Sequence, residues 1–154
     1  MSLAIEAFGM EAIAGILDKS IDSKRLYCET IRGVLSEYDA NAEGGLKPGR
    51  MLKASTQVAG RLLKDKMWAI FSHGIAITNT LYNHFVFSHP VPKRETGDSA
   101  LKLYKELITR CCDANERVQD KAEDTLEAMV TNEKIVNAEL LHEDFLKPLQ
   151  VGII

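Results

Sequence analysis

The sequence predicts an all-α protein, a HEAT-like stack of antiparallel helix pairs that forms an α-solenoid of about three units plus a terminal helix. The first observation is that apolar residues recur at helical spacing along most of the 154-residue chain, without strand-like alternation of useful length. The second is a repeated pattern, in which a small residue is followed by residues that suit a buried helix face. Its three copies are Cys28–Ile31–Leu35, Gly74–Ile77–Leu81 and Ala122–Thr125–Met129.

The spacing of these copies is the third observation. Their small residues, at positions 28, 74 and 122, are 46 and then 48 positions apart, and each follows an aspartate (Asp18, Asp65 or Asp113) by nine or ten positions. A period of about 40–47 residues with two helices in each unit is typical of HEAT-type repeats. Such arrays bury helix faces between neighbouring units and hold partners at exposed loops, which favours a binding protein over an enzyme.

Composition excludes several other classes. The net charge is −3, so nothing global points to nucleic acid, and no apolar stretch approaches the roughly 18 residues that a membrane helix needs. Of the three cysteines two are adjacent, and no C-x-x-C pair exists, so we expect reduced thiols, no metal and no cofactor. The start of the sequence lacks the pattern of a signal peptide, and we expect a cytoplasmic monomer.

The first half of the chain predicts two helix pairs. Residues 4–17 have helical periodicity, a polar run breaks it, and Asp22 or Ser23 can cap a second helix over about 24–38. The segment 41–45, Asn-Ala-Glu-Gly-Gly, predicts a loop. A third helix then begins near Pro48, because proline is favoured in a first turn. It ends near residue 64, and after a short break at 65–67 an apolar helix runs to about residue 87.

The second half predicts a third pair and a final helix. Residues 88–96 contain two prolines and cannot be helical throughout. Helices are then expected over about 97–112 and 117–131, separated by a turn at 113–116, and a last one over 135–147. We treat residues 4–150 as one domain. The apolar tail 149–154 lacks the polar cap that solenoid ends need, so we expect that this domain could be a fragment of a longer array.

Two segments carry a resemblance to a known family. The run Asp-Ala-Asn-Glu-Arg-Val-Gln-Asp-Lys-Ala at 113–122 resembles a HEAT turn strongly, and Asp-Lys-Met-Trp-Ala-Ile-Phe at 65–71 is a looser version. With the opening Ile-Glu-Ala-Phe-Gly at 5–9, the order of elements resembles a TOG domain, and within that group the TOG domain of the ciliary-tip centrosomal protein family. The resemblance covers most of residues 4–148.

The resemblance implies a non-enzymatic module that binds αβ-tubulin, in the cytoskeleton and at cilia or centrosomes. TOG domains contact tubulin through the loop between the two helices of each unit, which corresponds here to residues 19–24, 65–69 and 113–117. The family usually has tryptophan in the first loop, where this chain has Ile21. The implied contact residues are Lys19, Ile21, Lys24, Lys66, Met67, Trp68, Asn115 and Arg117.

Each of these residues also has a structural explanation. Trp68 could pack between units, Ile21 could be a staple at a helix start, and the cations could be solvated or paired within the array, Arg117 with Asp113 or Asp120. Two other functions stay open. One is a HEAT or armadillo-type adaptor for a different protein, and the other is a VHS- or ENTH-like reader of a sorting peptide or a lipid headgroup, although the basic residues are spread over several loops.

Overall fold

The computed structural model describes residues 1–132, and every regular element in that range is helical. The predicted last helix (135–147) and the apolar tail lie outside the described residues. The helices are α1 (Ser2–Phe8), α2 (Met10–Ile16), α3 (Ile21–Ser36), α4 (Pro48–Leu63), α5 (Trp68–Thr80), a π-helical turn (Leu81–Phe85), α6 (Val86–Ser88), α7 (Lys93–Cys111) and α8 (Glu116–Val130).

The helices form two layers of an α-solenoid. Within each unit the partners pack as α2 on α3, α4 on α5 and α7 on α8. Between units, α4 lies against α1 on one side and α7 on the other, while α5 lies between α3 and α8. One layer therefore contains α1, α2, α4 and α7, and the second layer contains α3, α5 and α8. The predicted all-α, HEAT-like architecture is confirmed for the described residues.

The repeated pattern marks the core of the second layer. All nine of its residues are buried, from Cys28 in α3 to Met129 in α8. Gly74 shows why the first position must be small. A Cβ on Gly74 would lie 3.0 Å from the backbone nitrogen of Leu63 and 3.1 Å from Cβ of Leu62, so α5 approaches the backbone of α4 closely at this point.

Three predicted boundaries were wrong, each for a local reason. The segment predicted as one helix over 4–17 forms two helices, because Gly9 has a φ of 90°, which is not helical, and so separates α1 from α2. The cap of α3 is Ser20, which lies before the candidates Asp22 and Ser23 and accepts a hydrogen bond from Ser23 N–H through Oγ (3.3 Å). Finally, α7 begins at Lys93 directly after Pro92, because a proline before the first turn removes no helical hydrogen bond.

The close approach at Gly74 yields a prediction about stability. Gly74→Ala should lower the free energy of unfolding by about 1–3 kcal/mol, because the added methyl meets the backbone of α4, which cannot rotate away. The same change at Gly33, in α3, should raise that free energy by about 0.5–1 kcal/mol, since an added Cβ there meets nothing within 4 Å and alanine favours the helix. Urea unfolding followed by circular dichroism measures both variants. Equal stabilisation by the two changes would contradict the close approach.

Candidate partner-binding edge

The loops inside the three units have the same length and the same turn. Each is four residues long (17–20, 64–67 and 112–115), and in each an aspartate accepts a hydrogen bond through Oδ1 from the backbone N–H two residues later. The residue that donates this N–H group is the N-cap of the following helix. The bonds join Asp18 to Ser20 (3.2 Å), Asp65 to Met67 (2.9 Å) and Asp113 to Asn115 (2.8 Å). The repeated aspartate therefore encodes an Asx turn.

The three loops lie next to one another along one edge of the molecule. Lys24, in the first turn of α3, donates a hydrogen bond from Nζ to Oδ2 of Asp65 over 2.8 Å, which joins the first loop to the second. The guanidinium of Arg117 lies 4.1 Å from the ring centroid of Trp68, which joins the third loop to the second. We call these three loops, with the first turns of the helices that follow them, the loop edge.

Arg110, in the last turn of α7 beside the loop edge, is a buried charged residue with 7% of its surface exposed. Its Nη1 donates to the carbonyl oxygens of Leu63 (2.6 Å) and Asp65 (2.8 Å), and its Nε donates to Oδ2 of Asp113 (3.1 Å). The guanidinium also lies 4.8 Å from the ring centroid of Phe71. Arg110, on α7, therefore caps the carboxyl end of α4 and neutralises the aspartate of its own loop.

The sequence analysis did not single out Arg110. Its carbonyl partners are 45 and 47 positions away along the chain, so no local pattern reveals them. The one local signal is that Asp113 lies three positions after Arg110 at a helix end, which allows an ion pair across one turn.

Lys24 does not offer a free ammonium to a partner. Its side chain is 21% exposed and that of Asp65 is 14% exposed, so the ion pair between them is largely shielded from water. The contact role expected for Lys24 stays a prediction, and in the free chain the nearest aspartate already pairs with its ammonium. Within the described residues, Lys24 instead helps to hold the first unit against the second.

Trp68 is half-buried and packs against the hydrophobic core. Its ring centroid lies 5.9 Å from that of Phe71, and the guanidinium of Arg117 covers a ring face. Arg117 therefore makes a cation–π contact. The ion pair of Arg117 with Asp113 that the sequence allowed is not formed, because Arg110 holds that carboxylate. Trp68 and Arg117 thus act as one composite surface.

The remaining predicted contact residues differ in exposure. Lys19, Lys66 and Met67 are exposed, Ile21 is half-buried at the first position of α3, and Asn115 is exposed. The Oδ1 atom of Asn115 accepts hydrogen bonds from the N–H groups of Arg117 (3.0 Å) and Val118 (3.4 Å), so this side chain serves as a helix cap. The sequence analysis missed Leu17, an apolar loop residue that is 43% exposed.

Met67 occupies a position that normally requires a polar side chain. It is the N-cap of α5, where serine, threonine, aspartate and asparagine are strongly preferred, and the corresponding residues are Ser20 and Asn115. Met67 makes no side-chain cap hydrogen bond, and its side chain is 48% exposed. The second loop therefore presents an apolar side chain to solvent at the expense of a helix cap.

Within 1–132, no three histidine, cysteine, aspartate or glutamate side chains come together as a metal site requires. Burial raises the pKa of Cys28 to about 11, so its thiol stays protonated at neutral pH. None of the helices in this range is both long and apolar enough to span a bilayer.

Comparison with known proteins gives the same fold. A family model described as the TOG domain of centrosomal protein CEP104 matches residues 1–153. Two solved structures, titled "CEP104 TOG domain" and "Structure of the TOG domain of human Cep104", align with a TM-score of 0.78 at 23% and 20% identity. The alignments cover 87% of this chain and 52% and 51% of those chains, so the chain spans about half the length of the solved chains. A comparison with curated proteins returns no match.

The position of Arg110 yields a second prediction about stability. Arg110→Leu should lower the free energy of unfolding by about 3 kcal/mol, because two backbone carbonyls and the carboxylate of Asp113 lose their donor. Arg110→Lys should recover only part of this loss, since an ammonium lacks the planar fork. The control is Lys64→Ala, which removes an exposed ion pair with Glu106 (3.4 Å) and should cost less than about 1 kcal/mol. Similar urea midpoints for Arg110→Leu and Lys64→Ala would contradict this account.

Proposed function

We infer the function of this chain from its family, because it belongs to the TOG-domain family of the centrosomal protein CEP104. Family membership implies a tubulin-binding module. We propose that this chain binds αβ-tubulin through the loop edge, without catalysis, as part of a protein of the cytoskeleton at cilia or centrosomes. The match to the family model and the row of three equivalent loops support the proposal.

The observation that carries the proposal is the exposed Met67. A methionine at an N-cap position lacks the side-chain hydrogen bond that serine would make there. Methionine is flexible and polarisable, and such side chains adapt well to the surface of a partner. Beside Met67 lie Lys66 and the Trp68–Arg117 pair, so apolar area and positive charge meet at the second loop.

The charges at the loop edge favour an acidic partner such as tubulin. Lys24 neutralises the carboxylate of Asp65, and Arg110 neutralises that of Asp113, so these two loop aspartates contribute little negative field. Lys19 and Lys66 stay exposed, and Arg117 presents its charge above the Trp68 ring. The exposed carboxylates of Asp18, Asp22 and Glu116 offset cations at the first and third loops, so the positive charge is concentrated at the second loop, around Lys66.

The first loop limits the expected affinity. Ile21 is half-buried and offers less area than the tryptophan that the family usually has there, and it has no polar hydrogen to donate. Trp68 cannot replace it fully, because its ring already contacts the core and Arg117. We therefore expect a dissociation constant in the micromolar range or weaker.

The first test separates binding from folding at Met67. Met67→Ser should raise the free energy of unfolding by about 0.5–1 kcal/mol, because the serine hydroxyl supplies the missing cap, yet it should weaken tubulin binding about fivefold or more. Binding is measured by sedimentation velocity with purified αβ-tubulin at low ionic strength, and stability by urea unfolding. Because Met67→Ser is expected to stabilise the fold, a loss of tubulin binding by this variant would not result from unfolding.

The matched control is Met10→Ser, which changes another exposed methionine (69%) at the opposite end of α2 from the first loop. It should leave tubulin binding unchanged. Trp68→Ala is a poorer probe, since it also removes core contacts. If the unaltered chain shows no association with tubulin at low ionic strength, tubulin is not its partner, and an adaptor for a different protein becomes the better description.

A second test addresses the charges. Lys66→Glu should lower the association rate with tubulin about tenfold at low salt, and the loss should shrink in about 0.5 M salt, where screening acts within a few ångströms. The control is Lys47→Glu, which reverses an exposed charge before α4, at the opposite end of that helix from the loop edge. Equal effects of the two reversals would indicate a dependence on net charge and not on the loop edge.

A further inference from the structure

The first layer contains an open groove between α4 and α7. Gly49 and Glu95 line one end of this α4–α7 groove, Thr56 and Lys102 line its middle, and Lys64 and Glu106 line the end nearest the loop edge. The wider part has a volume of about 460 Å³ and adjoins a part of about 210 Å³. Since α4 has 16 residues, the groove is about 24 Å long.

The walls of this groove are positively charged. Five cations line it, namely Lys53, Arg61, Lys64, Lys102 and Lys105, against the three carboxylates of Glu95, Asp98 and Glu106. Helix α4 contains no acidic residue. Within residues 1–132, Lys64 pairs with Glu106, whereas Arg61, Lys102 and Lys105 form no ion pair. The half of the groove near the loop edge therefore has an uncompensated positive charge.

The floor of the same half contains an acceptor without a donor. Oε1 of Gln57 is buried and has no hydrogen-bond partner among the described residues. Gln57 lines the groove beside Gly60, which has no side chain to cover it, and Leu103, which provides an apolar contact. Buried polar atoms are normally paired, and a rotation of the Gln57 side chain toward the groove would let a ligand N–H group become the donor to this oxygen.

We propose that the α4–α7 groove binds an extended acidic peptide from another protein. A peptide backbone supplies N–H donors for Gln57, its carboxylates match Arg61, Lys102 and Lys105, and about seven extended residues would fill the length of the groove. A free phosphate offers no donor to Gln57 when fully ionised. Proteins that bind single-stranded nucleic acid commonly stack its bases on aromatic side chains, and none of the described residues that line the groove is aromatic. This inference does not depend on tubulin binding.

The probe is a fluorescein-labelled, end-capped polyglutamate of that length, compared with the equivalent polyglutamine. Fluorescence anisotropy at low ionic strength should give saturable binding of the first and none of the second. Titration of the ¹⁵N-labelled chain should shift the amide signal of Gly60, at the floor of the groove. The double variant Arg61→Gln/Lys102→Gln should weaken binding about tenfold or more, because both side chains lie on the walls.

Three variants distinguish binding to specific residues of the groove from general attraction between opposite charges. Gln57→Leu keeps every charge but removes the acceptor, so it should weaken polyglutamate binding about threefold or more while tripolyphosphate binding stays the same. Lys121→Gln removes an exposed cation from α8, in the other layer, and should change neither. Met67→Ser, at the loop edge, should also leave the peptide affinity unchanged, which separates this groove from the tubulin surface.

Several outcomes would overturn the proposal. One is no polyglutamate binding at low ionic strength. Another is an equal loss of affinity for Lys121→Gln and the groove variants, which would mean a general charge effect. Tighter binding of single-stranded DNA than of polyglutamate, abolished by Arg61→Gln/Lys102→Gln, would assign the groove to nucleic acid instead. Urea unfolding of each variant verifies that the groove variants remain folded.

Discussion

The rest of the loop edge depends on the burial of one guanidinium. Arg110 leaves water, and this is tolerated because two carbonyls, one carboxylate and the ring of Phe71 surround it. The carbonyl of Leu63 belongs to the last turn of α4, where helices leave acceptors unpaired. The Arg110 guanidinium, on α7, therefore supplies the missing donor for the last turn of α4, in the neighbouring unit. The spacing between the second and third loops follows from this bond pattern and not from apolar contact alone.

Fixed loops have consequences for the charges that a partner meets. The cations that position the loops, Lys24 and Arg110, are used within the molecule, and the cations that lie outside, Lys19 and Lys66, have no structural role of this kind in the described residues. The number of charges in a loop sequence does not show which cations are paired within the molecule and which are exposed. Lys24 and Arg110 have already lost side-chain entropy in their ion pairs. A partner that binds the loop edge would therefore order only the exposed side chains, such as Lys19 and Lys66.

The parts of the fold that follow from short-range rules could be predicted, and the parts that depend on distant contacts could not. Helical spacing identified the buried second-layer face from Cys28 to Met129, and the repeated aspartate marked the turns. The break at Gly9 was missed, because an isolated glycine inside an apolar pattern is compatible with a helix until its φ is known. The aspartate that pairs with Lys24 and the carbonyls that accept from Arg110 are more than 40 positions away, and sequence spacing contains no information about them.

The composite of Trp68 and Arg117 shows how such an edge can be selective without a large free aromatic surface. A guanidinium above the ring reduces the apolar area that a partner could bury, yet it fixes the position of a charge that would otherwise move on a flexible stem. Met67, one residue earlier, supplies the adaptable apolar contact that the covered ring lacks. In the proposed complex, affinity at the second loop would therefore come mainly from Met67, which leaves α5 without a side-chain cap, and orientation would come from the guanidinium that the Trp68 ring holds in place.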